Sequence, residues 1–273
     1  MCFSRLFPCC KTGLRNQIFI ALFCPLPYLW SLKKNVQLNK GWWKLSGFIL
    51  LVYTVSCGFL LDVPRLPILN ETIRNLYFHV AMWMVMMVLY GISFVYSIRY
   101  LRSSGLRDDL FASHFASTAS VFGLLGYLTG AIWVSVTWLT DQQQTIGSVM
   151  REPKLLGAAI ALLIYGAYFV LRGSFTDIDK RARVSAVFNV FAFVMLFPCI
   201  WILPRMVVSL HPGAPGSDSG NPALNFKDID SRLRMVFYPA VLGWTLLGIW
   251  VSTLYVRWGL IRDKALLTKP NLK

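Results

Sequence analysis

Three histidines stand in a chain of 273 residues, and each sits where an apolar run meets a polar one. His79 lies in "RNLYFHVAMWM" with Trp83 one helical turn further on, His114 in "FASHFAS", and His211 in "SLHPG". Imidazole is the commonest metal-ligating side chain, and an interfacial histidine also serves as a polar anchor at a helix end. Other chemistries find little footing. There is no phosphate-binding glycine loop, no zincin motif and no serine–histidine–acid order. The six cysteines form no CxxC pair, no haem-attachment motif and no zinc spacing. Cys57 and Cys199 fall in apolar runs, which suits small buried hydrophobes and leaves a disulfide open.

The elements that must position these residues follow from composition. The chain is 56% hydrophobic and 14% charged, with a mean hydropathy of +0.56. A soluble domain carries more charge and shorter apolar runs, whereas about 20 apolar residues cross the hydrocarbon of a bilayer. Six stretches qualify as spanning helices, roughly 43–61, 77–98, 114–138, 155–171, 184–204 and 235–257. The fold class expected is an all-α integral membrane protein of six transmembrane helices. Pro198 and Pro204 predict a kink or unwinding in the fifth.

The net charge of +15 belongs to this topology rather than to a nucleic-acid partner. Of the 27 basic residues, 19 fall on one alternate set of flanks and eight on the other. Lysine and arginine collect in cytoplasmic loops, so both termini are expected in the cytoplasm. Three organisational units follow: a basic N-terminal extension over 1–42, a six-helix domain over 43–260 and a basic cytoplasmic tail over 261–273. The apolar stretch "NQIFIALFCPLPYLW" is too short and proline-broken to span, and no internal repeat is visible.

With the helices threaded this way, His79 and His211 share the outer face and His114 begins the third helix at the cytoplasmic edge. Two imidazoles can close both axial positions of a haem iron. A haem also needs aromatic walls and cations for its propionates. The outer face offers Trp83, Trp133, Trp138 and Trp201, with Arg74 and Arg205 as propionate partners. Interfacial tryptophans also form membrane belts, so a second class stays open: a permease subunit for a small solute. That reading expects polar groups at mid-membrane, where the helix centres offer Ser, Thr and Tyr.

At these residues the sequence resembles a known family. "IRNLYFHVAMW", "FGLLGYLTGAIWVSVTW", "EPKLLGAAIALLIYGAYFVLR", "SLHPG" and "RMVFYPAVLGWTLLGIW" look like the cytochrome c maturation protein C (haem exporter protein C) family, in its Bacteroidetes-like form. The resemblance covers about residues 43–260 in order. It implies non-covalent, transient binding of haem b at the outer face of the cell inner membrane. It implies delivery of that haem to a periplasmic haem chaperone, beside ABC-transporter-type membrane and ATPase subunits. His79 and His211 would be the axial iron ligands, with Trp133 and Trp138 opening a tryptophan-rich segment. The chain would make or break no substrate bond, so no enzyme activity is expected; a haem-lyase-like relative would be longer. One departure stands out. The family's later tryptophans and Asp are replaced here by "LTDQQQTIGSVMREPK", with Glu152 standing where the Asp is expected.

Overall fold

The computed structural model describes residues 41–65, 69–141, 143, 145–206 and 229–268. His211 and the basic extension over 1–40 lie outside the described residues. Among those described, the structure is helical throughout: α1 (Trp42–Leu60), a 3-10 helix (Asn70–Tyr77), α2 (His79–Ser103), α3 (Leu106–Val134), a π-turn (Ser135–Asp141), α4 (Ile146–Met150), α5 (Pro153–Gly173), α6 (Ile178–Leu196), a second π-turn (Phe197–Ile202), α7 (Leu203–Met206) and α8 (Ser231–Thr268). Helices α1, α2, α3, α5, α6 and α8, with their irregular extensions, are each long and apolar enough to cross a membrane. The chain is a multi-pass helical membrane protein.

Local chemistry explains where the helices stop. Ser104 adopts the left-handed region (φ 52°) and donates its N–H to the Tyr100 carbonyl, and Gly105 then caps α3. A two-residue link therefore folds α2 and α3 into an antiparallel hairpin. The Asp177 carboxylate accepts the Lys180 N–H at 2.7 Å and starts α6. Pro153 occupies the first turn of α5, where its missing N–H costs nothing.

The helices run beyond the lengths read from hydropathy because their charged ends stay helical. α3 begins at Leu106, so His114 lies two turns inside the helix rather than at its start. There its ring stacks on Tyr255 with centroids 6.0 Å apart. α8 likewise continues to Thr268, past the expected boundary at 260.

Pro198 does not simply kink the fifth span. The helix widens into the π-turn, and the Leu203 N–H reaches back to the Pro198 carbonyl. This pushes the Cys199 carbonyl against Gly157 of α5, at a point where a Cβ would overlap the oxygen outright. Cys57 and Cys199 are both free thiols and pack in different clusters.

The main core joins α2, α3, α5 and α6, with Val85, Met86, Leu89, Ala116, Ala119 and Leu196 almost fully buried. Small residues permit the close approach that membrane helices need: Gly123 receives Met86, and Gly248 receives Leu89. A second cluster packs the 3-10 helix against the start of α8 through Ile73, Leu76, Tyr77, Leu233 and Val236. The outward residues of α1, such as Leu45, Phe48, Ile49 and Val52, are apolar and exposed, as a lipid solvent requires.

Candidate functional site: an anchored imidazole between two indoles

His79 is the first residue of α2, just after the 3-10 helix. Phe78 between them keeps a right-handed backbone, and its N–H bonds the Asn75 carbonyl. The chain thus turns at the mouth of the helix and aims the imidazole across at α3. There Nδ1 lies 2.8 Å from the Gly126 carbonyl oxygen and 3.4 Å from Thr129 Oγ1. A carbonyl only accepts, so Nδ1 is the protonated nitrogen of the neutral ring and the lone pair resides on Nε2. This is how metal-ligating histidines are commonly oriented, with the second nitrogen tied to a backbone carbonyl.

The ring fits because α3 is cut away beneath it. A Cβ on Gly130 would stand 2.6 Å from His79 Cε1 and 3.0 Å from Nδ1. One turn earlier, a Cβ on Gly126 would stand 3.1 Å from Trp83 Nε1. The pair Gly126/Gly130 therefore faces the pair His79/Trp83, four residues apart on each helix.

Two indoles meet the imidazole edge-on. Trp83 lies with its centroid 6.4 Å away at 77°, and Trp133 lies 5.8 Å away at 76°. Trp133 is itself held, since its Nε1–H donates to Thr72 Oγ1 at 3.1 Å. Thr72 in turn donates to the Leu69 carbonyl. From the same 3-10 helix Asn75 donates Nδ2–H to the Thr129 carbonyl at 3.1 Å. Thr72 and Asn75 thus clamp the 3-10 helix onto the end of α3 that carries the slot.

The other sequence-derived candidates are not gathered here. Trp138 lies in the π-turn and packs with Val134, Val149, Leu139 and Leu155. Glu152, 5% exposed, caps α5, its carbonyl accepting the Leu156 N–H. Arg205 on α7 donates to the Trp201 carbonyl at 2.8 Å and lies 4.9 Å over the Trp201 ring. Arg74 bonds Glu71 and also donates to the Gly58 and Leu61 carbonyls, both at 2.7 Å. It staples the frayed end of α1 to the 3-10 helix, a structural role that composition did not disclose.

Sequence reasoning missed Gly126, Thr129, Gly130, Thr72 and Asn75. The glycines left a signal: "GYLTG" is a small-xxx-small spacing on one helix, matched to "HVAMW" on its neighbour. The described residues contain no group of three His, Cys, Asp or Glu fit to hold a bare metal ion. A porphyrin supplies four ligands of its own and needs only axial ones, so a single presented imidazole suits haem better than an isolated cation.

No protein-family model matches the chain. A curated relative, the cytochrome c biogenesis protein CcsA of Cuscuta reflexa, is 24% identical over 170 residues. The matched region covers 61% of this chain and 52% of that protein, so the chain spans about half the length of the relative it matches.

Proposed function

We propose that this chain handles haem in cytochrome c biogenesis. It binds haem b at the end of the bundle that carries His79 and presents it for transfer. The observation that carries the reading is the bond from His79 Nδ1–H to the Gly126 carbonyl, which fixes the ring through one nitrogen and makes Nε2 the atom that would meet the iron. The indoles of Trp83 and Trp133 supply flat apolar walls beside it. The name of the curated relative points to the same process.

In this reading the arginine-rich end of the bundle and both termini face the cytoplasm. His79 then faces the periplasm of a cell with an inner membrane. His211, in the stretch of sequence between α7 and α8, would be the second iron ligand in this proposal. Haem supplies the iron; the protein's residues orient the imidazole, exclude water and hold the Nδ1 proton on a carbonyl. Exchangeable neutral ligands suit a relay to a haem chaperone beside ABC-type subunits, with no substrate bond made by this chain.

Purified protein titrated with haem tests this directly. The expected result is the sharp reduced bands of a bis-histidine haem, weakened separately by His79→Ala and His211→Ala. A protein that stays colourless with haem added overturns the proposal.

A further inference from the structure

The His79 slot lies at one end of the bundle. At the other, Asp109 of α3 and Arg172 of α5 form a two-bond ion pair, 2.7 Å on each arm. α1 begins at that second end, because its last carbonyls are bonded by Arg74 of the 3-10 helix. α8 starts against the same 3-10 helix and so runs the opposite way. The two helices approach closely: a Cβ on Gly47 would stand 3.0 Å from Leu246 Cβ, and one on Gly243 would stand 3.0 Å from Leu50 Cβ. Along this seam lies an open recess of about 260 Å³, lined by Lys44, Gly47, Phe48 and Leu51 of α1 and by Leu246, Leu247 and Trp250 of α8. The four α1 residues follow the i, i+3, i+4, i+7 spacing of one helix face, a stripe about 10 Å long.

Both helices are long and apolar enough to span, and Phe48 on the rim is exposed, so the recess opens toward the hydrocarbon of a bilayer. Every lining residue except Lys44 is apolar. A lysine at a membrane boundary ordinarily extends its ammonium out to the headgroup water. Lys44 instead holds Nζ 5.7 Å from the ring centroid of Trp43 on its own helix and 5.7 Å from that of Trp250 on α8. Both distances are in the range of cation–π attraction. Two indoles on two helices therefore fix one cation in the first turn of α1, at the surface end of the recess. Among the described residues no carboxylate pairs with it. An apolar trough with one fixed cation at its surface end matches the two parts of a phospholipid. Lysine binds phosphate as a point charge, and basic side chains near a bilayer surface attract anionic lipids. A zwitterionic headgroup would bring its own ammonium against Lys44.

We propose that the recess between α1 and α8 binds one anionic phospholipid, its phosphate on Lys44 and an acyl chain along Gly47, Phe48, Leu51 and Leu247. The proposal is independent of haem binding and of which way the chain is threaded. In the test, the full chain in detergent is incubated with an equal mixture of phosphatidylglycerol and phosphatidylcholine. Lipid retained per chain after gel filtration is then measured by mass spectrometry. The wild-type chain is expected to retain phosphatidylglycerol several-fold over phosphatidylcholine. Lys44→Gln is expected to lose that preference. Leu51→Trp, which fills the recess and keeps the charge, is expected to lose the retained lipid. Two controls are expected to keep both: Lys180→Gln, whose ammonium lies over the Phe175 ring, and Leu45→Trp, at an exposed position of α1 outside the recess. Inorganic phosphate in the column buffer is expected to change nothing. Equal retention of the two lipids by the wild-type chain, an equal loss in Lys180→Gln, displacement by inorganic phosphate, or elution as a lipid-free dimer overturns the site. If Leu51→Trp does not fold, Lys44→Gln set against Lys180→Gln decides alone.

Discussion

The His79 ring occupies the space that a side chain on Gly130 would fill, with Cε1 2.6 Å from the ideal Cβ position. Gly130→Ala must therefore drive the imidazole away from the Gly126 carbonyl. Overpacking of this kind costs about 1–3 kcal/mol. A haem titration followed by absorbance is expected to show affinity reduced at least about tenfold, with the helical content by circular dichroism unchanged. Unaltered affinity would show that the slot does not set the ligand.

Thr72 and Trp133 form the second test. Thr72→Val leaves the indole N–H without its acceptor, for a loss of about 1 kcal/mol. Trp133→Phe removes the donor as well, so the double variant is expected to lose less than the two single losses combined. A double-mutant cycle on thermal unfolding measures this, and strict additivity would separate the two residues.

Asp109→Asn leaves the Arg172 guanidinium, 16% exposed, beside a neutral partner. Breaking one side of a buried pair costs about 3–5 kcal/mol. Replacing both residues together, as Asp109→Asn with Arg172→Met, is expected to recover part of that loss. Melting curves of the three variants decide it, and equal losses would locate the effect elsewhere.

Gly157→Ala is expected to be the most damaging glycine-to-alanine change among the described residues. The obstruction is the Cys199 carbonyl, a backbone atom that has no rotamer to escape into. Helix α5 and the π-turn must separate, and a loss above about 3 kcal/mol follows from the packing of such interiors. The readout is the yield of folded, monodisperse protein in detergent. A wild-type yield would mean that the π-turn is not fixed by this contact.

Asp230 gives a pH dependence. The bonds from Arg232, first through its side chain and then through its backbone N–H, hold the carboxyl below the ordinary aspartate range. A depressed folded-state value means stability present above the unfolded-state value and lost as pH falls through the folded one. The hydrogen-exchange protection factor at the first turn of α8, with the intrinsic pH dependence of exchange divided out, is expected to fall as pH drops below about 4. In Asp230→Asn that added acid sensitivity disappears.

The six spans were legible in hydropathy because a lipid solvent leaves little freedom in where apolar residues go. Their ends were less so: α3 starts at Leu106 because Asp108 and Asp109 find Arg99 and Arg172, pairings that hydropathy counts only as polar. His79, Trp83 and Trp133 were singled out from residue type and position, and the structure brings those three together. Trp138 was not placeable that way, because the π-turn rotates it off the face that a regular helix would have given it. Nor did composition reveal Asn189, one amide in an apolar helix whose partners Ser93 and Ser97 lie on another element.

The two-residue link at Ser104–Gly105 has a consequence for how the slot comes into being. His79, Trp83, Gly126, Gly130 and Trp133 all belong to one helical hairpin, and Thr72 and Asn75 belong to the segment leading into it. The contacts that orient the imidazole therefore all fall within residues 72–133, a stretch that is synthesised before the last three spans. The ligand position matures with the second and third spans and does not wait for the last one. In the proposed haem site, formation of the slot would thus be separated in time from its completion, since His211 comes later in the sequence.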